Sequence, residues 1–223
     1  MHKNIRLLAL FNFFTDFHLY SAILIIYFVK VTGSYSLGMS LFSVAMLSSA
    51  LFEIPTGIFS DYIGRKKTMI SGAICSLVSV IFYAIGASYL ILFIGALFEG
   101  LQRAWYSGNN DALLYETLSN SNRKDDYDHY LGRTSSMFQV AAAVGIIIGG
   151  FVAVWSFSLV MWFSVIPQLI CLIISLQIIE PTRLSYQSAN IYSHLFTAIK
   201  KIWSSEARRP KGRSFTKNLC LVC

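Results

Sequence analysis

The chain has 223 residues, 55% of them hydrophobic and 13% charged, with a mean hydropathy of +0.58. A soluble domain carries about 25% charged residues, so this composition excludes an ordinary water-exposed globule. The net charge of +7 does not by itself call for a nucleic-acid partner, because the basic residues prove to be placed on one side.

A helix needs about 20 apolar residues, at a rise of about 1.5 Å each, to cross a hydrocarbon core about 30 Å thick. Six runs meet that length: 5–29, 36–60, 68–87, 88–114, 134–155 and 156–179. The short alternating strands of a membrane barrel are missing, and six wholly apolar helices would leave a soluble bundle no face for water. The sequence therefore predicts an all-α integral membrane protein with six transmembrane helices.

The first run, "IRLLALFNFFTDFHLYSAILIIYFV", is too long for the core of a signal peptide. It has no small-residue cleavage site before Lys30, and is read as a retained span. Asp16 lies roughly 16 Å into it by helical rise, near the middle of the membrane. His18 follows, as a packing residue or a polar contact. The second run carries Glu53 just before Pro55; that carboxylate either joins a polar pathway or bonds backbone freed by the proline.

The fourth run holds Arg103, whose burial in a span costs about 2.5–3.5 kcal/mol and so demands a partner. Glu99 lies one helical turn earlier, in the favourable acid-before-base order. The pair either couples proton movement to transport or only holds its helix to its neighbours. The fifth run contains "AAAVGIIIGG", whose Ala141, Gly145, Gly149 and Gly150 permit close helix packing. The aromatics Phe11, Phe14, Tyr20, Trp105 and Tyr106 suit a cavity wall or simple packing.

After residue 180 the composition changes. Ile191, Leu195, Ile199 and Ile202 share one helical face with Lys200 and Lys201 at its edge, which predicts an amphipathic helix on the cytoplasmic leaflet. The organisation expected is a membrane domain over 1–180, a linker over 181–205 and a disordered basic tail over 206–223. Cys75 and Cys171 fall inside spans as small apolar residues, and the terminal pair Cys220 and Cys223 has no further metal ligands nearby. No cofactor or metal is expected, and no hydrolase motif such as HExxH or GxSxG occurs.

Basic residues mark the cytoplasmic side. With six spans, all but Lys30 and Arg103 of the 18 basic residues fall on the side that holds both termini. The chain is thus expected to be a multi-pass protein of the cell (inner) membrane with both termini cytoplasmic. The turn between the second and third runs, "GIFSDYIGRKKTM", concentrates this charge. Gly57 is suited to tight helix packing, Gly64 to a turn at positive φ, and Asp61 to meeting a cation or a helix N-terminus. Lys66 and Lys67 serve as topology anchors.

Read as Gly57, Asp61, Gly64, Arg65 and Lys66, this turn resembles the signature loop of the major facilitator superfamily. The fourth-run segment "GALFEGLQRAWYSGNNDALLYETL" is similar to the corresponding region of bacterial drug-efflux members. The resemblance reaches roughly residues 1 to 200. It implies that Asp61 and Arg65 belong to a gating cluster, with Asp111 as the carboxylate facing Arg65. It also implies that Asp16, Glu99, Arg103 and Glu53 lie on a proton or substrate pathway. The small residues of the fifth run align with an antiporter motif, although Ile146 stands where its proline is usual.

Such transporters are built from two six-helix halves, each an inverted three-helix repeat, with their sites near the bilayer midplane. One half and its linker are present here. The expectation is the N-terminal half of a proton-coupled efflux transporter for a small molecule, cut short and unable to transport alone. A half-transporter active as an oligomer and a non-transporting scaffold or regulatory protein are the alternatives. The partners implied are the lipid bilayer, a small-molecule substrate, and a missing C-terminal half or second copy. The proton gradient is the implied energy source.

Overall fold

The computed structural model describes residues 2–180, with side chains over 4–180. The linker helix expected over 190–203 and the tail over 206–223 lie outside the described residues. Among those described, every regular element is helical: α1 (His2–Asp16), α2 (Leu24–Thr32), α3 (Tyr35–Ile63), α4 (Arg65–Ile85), α5 (Tyr89–Tyr106), α6 (Asn109–Ser119), α7 (Tyr127–Ala153), α8 (Phe157–Phe163) and α9 (Val165–Gln177). A single 3-10 turn, Lys124–Asp126, precedes α7.

By length and composition, α3, α4, α7 with its leading turn, and the α8–α9 stretch can each cross a membrane. The other two apolar runs are broken helices. In the first, α1 stops at Asp16 and a turn follows, in which His18 N–H donates to the Asp16 carbonyl at 2.8 Å. Non-helical backbone at membrane depth persists only where protein covers it. Here α7 is the cover: Ala141 is fully buried, and a Cβ at Gly145 or Gly149 would press on the backbone of His18 or Leu19.

The run over 88–114 breaks at Ser107 and Gly108, where Gly108 adopts φ +69 and α6 begins anew. Two proline positions explain the remaining irregularities. Pro55 sits inside α3 without ending it, while Pro167 lies in the first turn of α9, where its missing N–H costs least. The loop expected over 119–133 is shorter than its polarity suggests. Its second half is the first two turns of α7, since Tyr127, Tyr130 and Leu131 pack against apolar core residues.

Close approach of backbones holds the bundle together. A Cβ on Gly100 of α5 would collide with the Ala45 carbonyl of α3, and the Ser48 hydroxyl donates to the Leu97 carbonyl at 2.8 Å. The α4 helix packs on the opposite side of α5 and on α9, while α1 packs on α7 and α9. One buried cluster forms around Tyr20, Phe28, Leu41, Tyr83 and Met161. A second forms around Leu8, Phe11, Met69, Leu114 and Ile178.

One end of the bundle gathers the start of α1, the α3–α4 turn, α6, the start of α7 and the end of α9. The Asn4 amide exchanges hydrogen bonds with the Ile179 backbone at 2.8 and 3.2 Å. Lys66 N–H donates to the Glu180 carboxylate at 3.0 Å. Arg6, Arg65, Lys66, Lys67, Arg123, Lys124 and Arg133 are all carried on elements at this end.

Candidate functional site

Two polar constellations interrupt the apolar bundle. The first is built on α5, where one helical turn places Glu99 and Arg103 on the same face. Arg103 Nη2 donates to Glu99 Oε1 at 2.7 Å, and the Tyr83 hydroxyl of α4 donates to Glu99 Oε2 at 2.7 Å. Both carboxylate oxygens are thereby engaged. The Glu99 side chain is 13% exposed and that of Arg103 49%, so the guanidinium stands at the open edge of the pair. Aromatic packing links this pair to the α1–α2 break. The Tyr20 ring meets Tyr83 edge-on at 6.1 Å, and the His18 ring lies 5.0 Å from Tyr20.

Asp16, the last residue of α1, lies within electrostatic range of Arg103 but makes no ion pair with it; the guanidinium is paired with Glu99. His18 Nδ1 is buried and makes no hydrogen bond. One guanidinium therefore pairs with Glu99 and has a second carboxylate in its vicinity, and the His18 imidazole with its unengaged Nδ1 is nearby. Burying an unbalanced carboxylate in a span is costly, so such a group readily takes up a proton or a cationic partner. Glu53 belongs elsewhere. It accepts from the Ser107 hydroxyl at 2.8 Å at the α5–α6 break, and the Thr56 hydroxyl bonds the Phe52 carbonyl at 2.7 Å.

The second constellation is the basic turn. Gly64 at φ +105 ends α3 and starts α4 with no intervening loop, a conformation strained for any residue with a Cβ. Arg65 then reaches back to Asp61 at 3.1 Å and across to Glu116 at 3.1 Å, while its Nη1 donates to the Ser60 hydroxyl at 2.9 Å. Ser60 donates to Asn109 Oδ1, and the Asn109 amide returns to the Arg65 carbonyl. The end of α3, the start of α4 and the start of α6 are thus locked into one ring.

The carboxylate facing Arg65 is Glu116, where the family resemblance implied Asp111. The break at Gly108 restarts the helix so that Asp111 falls in the first turn of α6, exposed, while Glu116 turns inward. Gly57 also departs from expectation. It sits on the outward face of α3 with nothing near its Cβ position, whereas Thr56 and Ser60 face α5 and α6. Gly150 faces outward in the same way, so of the four small residues expected to pack, Ala141, Gly145 and Gly149 do so. Among the cavity aromatics expected, Phe11 is fully buried and meets Tyr106 edge-on at 5.4 Å, which is packing.

Three partners escaped the sequence reading: Tyr83, Glu116 and Glu180. A tyrosine inside an apolar helix needs an acceptor, which was a usable signal for Tyr83. The α4 N-terminus has Gly64 at its cap and no Ser, Thr or Asp, which left a place for a distant acid such as Glu180. Among the described residues, no group of three or more His, Cys, Asp or Glu is arranged to hold a metal ion.

Residues 6–218 match the profile of the Major Facilitator Superfamily. The chain belongs to the Major Facilitator Superfamily. The matched range continues past residue 200, where the motif resemblance ends, and takes in most of the basic tail. Solved structures agree on the fold. A crystal structure of the peptide transporter POT in complex with sulfate aligns with a TM-score of 0.69 and 16% identity, over 92% of this chain and 44% of that one. A mutant of the POT peptide transporter, also with sulfate, aligns with a TM-score of 0.67 over the same shares. No curated protein sequence matches. The chain spans less than half the length of these transporters, and at 16% identity the likeness is one of fold. As a Major Facilitator member it is a multi-pass membrane protein of a transporter family, and neither that family nor these neighbours are enzymes.

Proposed function

We propose that the nine described helices make six membrane crossings and form one half of a proton-coupled small-molecule transporter, which works against a second six-helix half. In this reading the first crossing is α1 with α2, the fourth is α5 with α6, and the sixth is α8 with α9. The first and fourth crossings occupy corresponding places in an inverted three-helix repeat, and both are broken. Paired broken helices are the usual mark of the site in such transporters. Both termini and the α3–α4 turn lie in the cytoplasm, and the membrane is the cell (inner) membrane. The direction is efflux, as the fourth-run likeness to drug exporters suggests.

The observation that carries the reading is the engagement of Glu99 by both Arg103 and Tyr83; in this reading Asp16, which lies within electrostatic range of Arg103, competes for the same guanidinium. Protonating Asp16 or Glu99 changes which carboxylate the guanidinium serves, and substrate binding on the exposed side of Arg103 would bias the same choice. Proton and substrate are thereby linked through one cation. The Arg65 ring is a latch whose closure would depend on the second half.

The test uses everted vesicles carrying the chain joined to its second half, with ethidium as the transported probe and a pH-sensitive dye on the same sample. Arg103→Ala and Asp16→Asn should each lower proton-driven ethidium movement by about tenfold or more, equivalent to about 1.4 kcal/mol. Ethidium exchange without a gradient should survive in Asp16→Asn. Unchanged proton-driven transport in Arg103→Ala would remove the coupling role.

A further inference from the structure

A cavity of about 290 Å³ opens between the start of α1 and the start of α7, lined by Ile5, Arg6, Ala9, Tyr130, Arg133 and Thr134. That is near the lower limit, about 300 Å³, of pockets that take small ligands. Its two arginines come from different helices. Among the described residues the other arginines are all paired: Arg65 with Asp61 and Glu116, Arg103 with Glu99, and Arg123 with Asp126. Arg6 and Arg133 have no such carboxylate among the described residues, and they line the same cavity. The acids of the preceding turn do not fill the gap. Asp125, Asp126 and Asp128 are not among the lining residues, and Asp126 is held by Arg123 at 2.6 Å.

We propose that this cavity binds the phosphodiester headgroup of an anionic phospholipid. Two arginines lining one space suit the planar, fork-like recognition of phosphate oxygens, which an ammonium cannot reproduce. Basic pockets between helices at the cytoplasmic end of a bundle are suited to such headgroups. The Thr134 hydroxyl donates to the Tyr130 carbonyl at 2.9 Å and the Leu131 carbonyl at 3.1 Å, so the lining side-chain donors left are the two arginines and the Tyr130 hydroxyl. The apolar surroundings distinguish a lipid from a free anion. Ile5 and Ala9 line the space, and one helical turn beyond Arg6 the Leu10 side chain is 49% exposed. Two turns beyond Arg133, Val140 is likewise 49% exposed, so an apolar track runs away from the cavity on both helices. The headgroup would sit at the basic end of the bundle with its acyl chains along that track. This inference is independent of proton coupling and of the substrate.

The full chain, delipidated in neutral detergent, is titrated with dioctanoyl phosphatidylglycerol, with dioctanoyl phosphatidylcholine and with inorganic phosphate, and occupancy is read by native mass spectrometry. Phosphatidylglycerol should bind about tenfold more tightly than phosphatidylcholine. Arg6→Gln with Arg133→Gln should abolish that preference, and Arg6→Lys with Arg133→Lys should recover part of it while keeping the charge. Lys66→Gln with Lys67→Gln, which removes the same charge at the same end, should leave the preference within about twofold. Equal binding of the two lipids, or an unchanged preference in the Gln pair, overturns the proposal. Arginine-dependent binding of inorganic phosphate as tight as that of phosphatidylglycerol overturns the lipid assignment and makes the site one for free anions. If the Gln pair does not fold, a lowered preference in the Lys pair still supports fork recognition, and a fully retained preference there overturns it.

Discussion

Arg65 has more partners than any other cation described, and their chemistry sets a test of single side chains. Its contacts are Asp61, Glu116 and Ser60, and Glu116 is the more buried of the two acids, at 16% against 46% exposed. The exposed pair is worth little because water screens it, whereas the inward pair is less well compensated when broken. Glu116→Gln should therefore destabilise the folded chain in detergent by about 1 kcal/mol. Asp111→Asn should stay within about 0.5 kcal/mol, as exposed changes usually do. Thermal unfolding followed by circular dichroism separates the two, and an equal loss from both would put Asp111 back beside Arg65. The residues Asp61, Gly64 and Arg65 were legible because a positive-φ turn and a membrane-boundary charge have signatures in neighbouring positions. Glu116 was not, because which acid faces Arg65 depends on where α6 restarts. The Gly108 break that decides this is a three-dimensional fit of α6 against α1 and α7, with Asn110 bonded to Asn12 at 3.3 Å.

Among the elements, the contact of α7 with the α1–α2 turn covers the non-helical backbone that the proposed broken first crossing would carry into the membrane. Only a residue without a side chain admits the Leu19 carbonyl at Gly149, while Gly150, one residue on, faces open space. The pair isolates packing from helix propensity, since both changes replace a helical glycine by a better helix former. Gly150→Ala should be neutral or stabilising by about 0.5–1 kcal/mol. Gly149→Ala should cost about 1–3 kcal/mol, because the added methyl must push α7 away from the turn. Equal effects in a detergent unfolding series would mean that α7 does not seat on Leu19. The small-residue pattern "AAAVGIIIGG" disclosed that a close approach occurs on this helix. It could not say that the partner is a turn rather than a helix, nor that Gly150 faces away, because periodicity reports a face and not what lies opposite. The apolar runs were equally blind to the breaks at Asp16 and Ser107, since hydropathy is nearly the same for helix and for covered coil.

For the whole molecule, the asymmetry of charge becomes a statement about orientation. The basic elements meet at one end through the Asn4–Ile179, Lys66–Glu180 and Arg65–Glu116 contacts, while Lys30 stands over the Phe157 ring at 5.4 Å at the α2 and α8 ends. Moving a cluster of lysines and arginines across the bilayer is opposed at each charge, so the proposed topology keeps the crowded end in the cytoplasm and places Lys30 outside. The direct check places single cysteines at both ends of a chain whose Cys220 and Cys223 are changed to serine, with Cys75 and Cys171 left because both are buried. In intact cells, an impermeant maleimide should label Lys30→Cys and spare Lys67→Cys, and permeabilising the cells should make Lys67→Cys react. An even number of crossings between the two ends would give them the same side, so the result also tests whether α3 crosses once without folding back at Pro55. Labelling of Lys67→Cys from outside would reverse the bundle. It would turn the Arg65 latch and the cavity between Arg6 and Arg133 toward the outer leaflet, and remove the cytoplasmic assignment of both.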